Sequence, residues 1–96
     1  MEVSRADIVQ SMAGRDRGKL FYVMKTEGVY VLIANGKDRK VERPKRKKLK
    51  HVRRVTRPET RVAEKIARGD KVLNSELRRD LAEFSREPSV KTKEVC

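Results

Sequence analysis

Cysteine occurs once, as the final residue Cys96, so no intrachain disulfide can staple the fold and the thiol has few neighbours to tune its reactivity. A chain built this way is expected in a reducing compartment, the cytoplasm. Histidine is equally scarce. His51 has no second histidine and no internal cysteine to share a metal, so it is assigned to packing or to facing a phosphate. With one histidine and a terminal cysteine, neither a Ser/His/Asp nor a Cys/His arrangement can be assembled, and no Gly-rich phosphate loop leads from a strand into a helix. The chain is therefore not expected to be an enzyme, and no metal or cofactor is expected. The residues from Met1 to Arg5 lack an apolar signal core, and no apolar run approaches the roughly 20 residues of a membrane span. Secretion and membrane insertion are accordingly not expected. Tryptophan is missing and aromatic residues make up 4% of the chain against 42% charged, a balance that leans towards disorder. The apolar residues are nevertheless clustered, which favours a small ordered core with basic extensions.

What the chain does have is positive charge, concentrated in one place. Residues 37–57 carry twelve Lys and Arg against Asp38 and Glu42, which accounts for +10 of the net +12. Solubility does not require such a field, since a mixed surface of modest net charge achieves it with less self-repulsion. A polyanionic partner is expected. At 96 residues the chain makes one small domain, or a small domain with an appendage, and buries only about two-thirds of its unfolded surface, too little for a deep catalytic cleft.

Along the chain, Ile8, Val9 and Met12 precede Gly14-Arg15-Asp16-Arg17-Gly18, and Leu20–Met24 follow, a strand, turn, strand pattern with a glycine on each side of a charged loop. Val29–Ala34 is β-branched and aromatic and reads as a further strand. Asn35-Gly36 is a strong hairpin signal, expected to return the chain into a strand over Asp38–Glu42 that Pro44 terminates. A short closing strand is expected around Leu49, His51 and Arg53. Five short strands in about fifty residues indicate a small antiparallel barrel. At Thr56 the period changes: with Glu59 it makes a capping box and with Pro58 a helix start, so a helix carrying Val62, Ala63, Ile66 and Ala67 is expected, stopped by Gly69. A second helix should begin at Asn74 or Ser75, present Leu77, Leu81 and Phe84, and end before Pro88. These stripes are narrow and would dock on the barrel, on each other or on a partner. The fold class is thus mostly β with C-terminal α, divided as a barrel over 5–57 that includes the basic block 37–57, a helical extension over 58–87 and a disordered tail over 88–96.

The segment from Asp7 to Lys19, followed by an apolar strand, resembles a KOW motif. In that family a strand, a Gly-basic-Asp-basic-Gly-basic loop and a second strand form part of an SH3-like barrel found in ribosomal proteins and transcription elongation factors. With Asn35-Gly36, the basic block and two helices, the chain more specifically resembles the archaeal and eukaryotic-type large-subunit ribosomal KOW proteins and their small bacterial relatives. Many KOW motifs carry a further glycine where this chain has Leu20-Phe21-Tyr22, and the eukaryotic-type ribosomal branch often lacks that glycine too. The resemblance implies RNA binding and, within that, structured ribosomal RNA, with the protein acting as a ribosome-associated or assembly accessory in translation.

The candidate RNA-binding residues are Arg15, Arg17 and Lys19 in the glycine loop and Lys37, Arg39, Lys40, Arg43, Lys45, Arg46, Lys47, Lys48, Lys50, Arg53 and Arg54 in the block. Arginine forks match phosphate oxygens bidentately, and lysines act as point charges. Lys45-Arg46-Lys47-Lys48 has no interleaved aromatic residue, so backbone and shape recognition fits it better than stacking on single strands. Gly14, Asp16 and Gly18 are assigned to loop structure, with Asp16 accepting backbone N–H bonds. The bland alternatives are a solvated basic run, core roles for Tyr22 and Tyr30, and solubilising roles for Asp80 and Glu83 on an exposed helical face. Charge alone does not separate RNA from DNA. The competing functional class is a KOW interaction module of the transcription or translation machinery, with nucleic-acid contacts secondary and a Leu77-Leu81-Phe84 face open to a protein. Attachment to an anionic membrane is disfavoured because the block has no apolar helical face.

Overall fold

A computed structural model describes residues 3–95, with side chains described through Ser85. The chain forms β1 (Ile8–Ser11), β2 (Leu20–Glu27), β3 (Tyr30–Ala34), β4 (Lys45–Lys48) and β5 (Val52–Thr56), then α1 (Arg61–Arg68) and α2 (Asn74–Val95), with a 3-10 turn over Leu49–His51 between β4 and β5. The strands make one antiparallel sheet in the order β4-β3-β2-β1-β5. No pairing joins β4 to β5 among the described residues, so the sheet is open at both edges.

Alternation along the strands sends apolar side chains to both faces. Val9, Phe21, Val23, Val31, Ile33 and Val52 form one buried cluster within the curl of the sheet. Ile8, Tyr22 and Ala34 point the other way and meet Val62, Ala63 and Ile66 of α1 and Leu77 and Leu81 of α2. The helices therefore dock on the sheet, and the Leu77-Leu81 stripe that the sequence offers to a protein partner is core, with Leu77 fully buried and Leu81 6% exposed. Ala67, which helical spacing puts on the α1 stripe, is exposed.

The glycine loop joins β1 and β2 as expected, and Gly69 ends α1 in the left-handed conformation at φ 82°, its N–H reaching the Ile66 and Lys65 carbonyls. Three boundaries differ. Thr56 does not cap α1, because it is committed to β5 opposite Ile8. Thr60 takes the role instead and accepts the Ala63 N–H at 3.1 Å, and the helix starts four residues later than the Thr56 box implies. The fourth strand is not Asp38–Glu42, which lies in an irregular connection; the basic run itself pairs with β3, Lys45 opposite Ile33 and Lys47 opposite Val31. Backbone pairing is indifferent to side-chain charge, and lysine suits an edge strand because it discourages pairing with another chain. The closing strand begins at Val52, since Leu49–His51 is taken by the 3-10 turn. Finally, α2 passes Pro88 rather than ending before it. Proline removes one N–H donor from the ladder without forbidding continuation where flanking residues such as Glu83, Arg86 and Glu87 are good helix formers. Of the expected tail 88–96, no side chain is described and Cys96 lies outside the described residues.

Candidate nucleic-acid interface

The β1–β2 loop and the long β3–β4 connection meet at one end of the sheet and are cross-linked there. Asp16 is 3% exposed, and its Oδ2 accepts hydrogen bonds from Arg39 Nη2 at 2.9 Å and Nε at 3.2 Å. The carboxylate thus binds the opposite loop by a guanidinium fork. The sequence assigns Asp16 to the backbone N–H groups of its own turn; those contacts instead run through main-chain oxygens, with Lys19 N–H donating to the Asp16 carbonyl at 3.0 Å. Lys19 Nζ donates to Asp38 Oδ2 at 2.8 Å, a second bridge between the loops. That bond is the main reason the Asp38 carboxyl is held below its ordinary range. A third tie comes from β4, where Lys47 Nζ donates to the Ala13 carbonyl at 2.8 Å and lies over Gly14.

The start of α2 fixes the β3–β4 connection from behind. Asn74 accepts the Val41 N–H through Oδ1 at 2.8 Å and donates from Nδ2 to Glu42 Oε1 at 2.9 Å, the leading cause of the lowered Glu42 pKa. Arg78 Nη1 donates to the Gly36 carbonyl at 2.7 Å. Gly36 is buried at φ 76°, and a Cβ there would collide with the Asn74 carbonyl. Asn35-Gly36 is consequently not a two-residue hairpin. Asn35 Oδ1 accepts the Lys37 and Arg39 N–H groups at 3.0 and 2.9 Å, curling the chain, while the glycine supplies the room that lets α2 approach.

Every acid in these two loops is thereby engaged, and the remaining cations are left without a hydrogen bond or ion pair of their own, although the Lys37 and Lys40 charges add to the lowering of the Asp38 and Glu42 pKa values. Arg15, Arg17, Lys37, Lys40 and Arg43 are exposed and make no side-chain hydrogen bond or ion pair among the described residues. The other sequence candidates are placed differently. Lys19, Arg39 and Lys47 serve the cross-links just described. Arg46 lies 3.8 Å from the Tyr30 ring centroid and 3.9 Å from Glu27, stacked on the sheet face rather than projecting from it. Lys45 is half-buried, Lys48 and Lys50 are exposed, and Arg53 donates to Gln10 Oε1 at 3.1 Å across the β1–β5 pair. Arg54, half-buried on β5 opposite Val9, is also engaged. Charge patterning thus finds the cations but not their division into structural and free ones. It misses Asn74 and Arg78 altogether, since nothing in a helix sequence marks which polar residues face a loop.

Elsewhere, Asp80 is not a solubilising charge. Its Oδ2 accepts the Tyr22 hydroxyl at 2.6 Å and the Thr60 hydroxyl at 2.8 Å, joining β2, α1 and α2 beneath the sheet. Burial and then the Asp80 carboxylate push the Tyr22 phenol well above its ordinary pKa. Asp7, fully buried, accepts Arg57 Nε at 2.9 Å and ties the start of β1 to the end of β5. Tyr22 is therefore core, whereas Tyr30 is half-buried beneath Arg46.

Among the described residues no group of His, Cys, Asp or Glu is placed to hold a metal ion, and no helix is long and apolar enough to cross a membrane. In comparisons with known proteins, no family model matches the chain and no curated protein matches it.

Proposed function

We propose that this protein binds structured RNA through the loop end of its sheet, as a KOW-type accessory of the ribosome or of its assembly in the cytoplasm. The observation that carries this reading is the segregation of charge in the two cross-linked loops. Asp16, Asp38 and Glu42 are each taken up by a partner, and Arg15, Arg17, Lys37, Lys40 and Arg43 stand exposed on a scaffold held rigid by those same bonds. Cations carried on cross-linked loops lose less backbone freedom on meeting phosphates than cations on a floppy tail, and each phosphate neutralised releases condensed counterions. The edge lysines Lys45, Lys48 and Lys50 extend the field along β4 and the turn that follows. The strand order, with β1 held between β2 and β5 and a 3-10 turn before β5, supports the SH3-like barrel that the glycine loop suggests.

The competing reading, a protein-interaction module, loses its main surface because the Leu77-Leu81 stripe is used within the fold. Sedimentation of native lysate through sucrose gradients, with and without ribonuclease, separates the two. Comigration with large ribosomal subunits that ribonuclease abolishes and rising salt weakens is expected. A protein that stays at the top of the gradient, or moves with polymerase regardless of nuclease, would contradict the RNA reading.

A further inference from the structure

Beside the free cations, the β1–β2 loop, the β3–β4 connection and α2 enclose an open cleft of about 460 Å³. That volume falls in the range of roughly 300–1,000 Å³ typical of small-molecule sites and is more than a bare nucleobase requires. Its walls are mixed in an ordered way. Leu20, Leu81 and Ala82 give it an apolar side, and Lys37 and Arg78 stand on it with Asp38. Lys37 is exposed and makes no hydrogen bond or ion pair among the described residues, Arg78 is held by the Gly36 carbonyl, and Asp38 is fixed by Lys19, whose bond is the main cause of its lowered pKa, with the Lys37 charge a lesser one.

We infer that this cleft takes one unpaired nucleotide from the bound RNA, its base against Leu20, Leu81 and Ala82 and its phosphate on Lys37. The inference rests on the RNA reading above and sharpens it: the preferred substrate is RNA carrying an extruded nucleotide, not a uniform helix. Three features point to this occupant. The cleft is continuous with the cation cluster through Lys37, so a strand crossing the loops brings a phosphate to its rim. An apolar side chain or a lipid tail would strip water from Lys37 and from the rims of the Asp38–Lys19 and Arg78–Gly36 bonds and put nothing polar in its place, whereas a nucleotide offers an anion, a flat apolar face and polar base edges together. A bulged nucleotide has already left its stack and is extruded at little cost.

The test uses the full chain and two RNA hairpins that differ only in a single bulged 2-aminopurine, read by anisotropy and by aminopurine fluorescence. Wild-type protein is expected to bind the bulged hairpin about tenfold more tightly than the paired one and to change the aminopurine signal. Ala82→Phe fills the cleft from an exposed helical position, and Ser85→Trp does so from the next turn. Either variant, at wild-type Tm, should bring the bulged hairpin to the affinity of the paired one and leave the paired affinity within about twofold. Equal wild-type binding of the two hairpins, or a preference that survives both filled clefts, overturns the inference while leaving RNA binding in place. Binding to neither hairpin overturns both.

Discussion

Substituting alanine at Gly36 and at Gly28 places the same methyl group at two left-handed backbone positions, φ 76° and φ 64°, in different surroundings. At Gly28 nothing lies within 4 Å of the added Cβ, so the cost is the conformational one alone, about 1–2 kcal/mol. At Gly36 the methyl also runs into the backbone of Asn74, with the carbonyl carbon at 3.0 Å and Cα at 3.1 Å, and neither can rotate away as a side chain can. Overpacking of that kind adds about 1–3 kcal/mol, bringing Gly36→Ala to roughly 2–5 kcal/mol. Relieving the clash requires α2 to withdraw, which loosens the Arg78 bond to Gly36 and the Asn74 bonds to Val41 and Glu42. For a domain of this size each kcal/mol shifts Tm by about 4–8 °C. Thermal unfolding followed by circular dichroism should therefore show Gly36→Ala melting well below Gly28→Ala. Equal shifts, or a larger one for Gly28→Ala, would refute the claim that Gly36 is there to admit α2.

Other perturbations have signs fixed by the same contacts. Tyr22→Phe removes the bond to Asp80 and should cost about 1–2 kcal/mol at neutral pH. The raised Tyr22 pKa means that the unfolded chain loses its proton first, so stability is full below the ordinary value of 10.0 and falls above it; Tyr22→Phe should flatten that alkaline decline in a series of Tm measurements. The lowered pKa values of Asp38, Glu42 and Glu76, the last an α2 carboxylate held chiefly by Lys65 Nζ of α1 at 2.8 Å, have the opposite consequence: their stabilisation is present above the ordinary carboxylate range and is lost as pH falls through their folded values. Glu42→Gln should accordingly show a shallower acid decline than wild type. Asp16→Ala deprives Arg39 of its buried acceptor and should destabilise by about 1–3 kcal/mol, with faster amide hydrogen exchange in both loops; exchange confined to one loop would argue against the cross-link.

Where local pattern and tertiary demand agree, the fold is legible in the sequence. The glycine loop, the β-branched run of β3, the α1 stripe of Val62, Ala63 and Ile66, the Gly69 stop and the Asn74 start all lie where their residues place them. The failures share a cause, which is that a distant partner overrides a local signal. Thr56 and Glu59 make a sound capping box, but β1 offers Thr56 a strand partner and Asp80 offers Thr60 a second bond. The Asn-Gly pair is a good hairpin turn, but its glycine is required by the helix that begins at Asn74, far along the chain. The candidate site shows the same division. Charge density picks out the basic loops, yet Asp16 and Asp38 decide which of their cations are left without an ion pair, and those bonds run between loops that no local pattern brings together.

RNA binding by the free loop cations is tested most directly by titrating labelled fragments of large-subunit ribosomal RNA across a range of salt, with wild-type protein and with Arg15, Arg17, Lys37, Lys40 and Arg43 replaced by glutamine. Because none of these side chains makes a hydrogen bond or ion pair among the described residues, and Lys37 and Lys40 act on Asp38 and Glu42 only as minor neighbouring charges, the Tm of the variant should stay near wild type. Its affinity should fall, and the log–log salt slope should become shallower by about 0.7–0.9 for each phosphate that the variant no longer neutralises. A stable variant that bound the same RNA with unchanged affinity and unchanged slope would contradict the proposed interface.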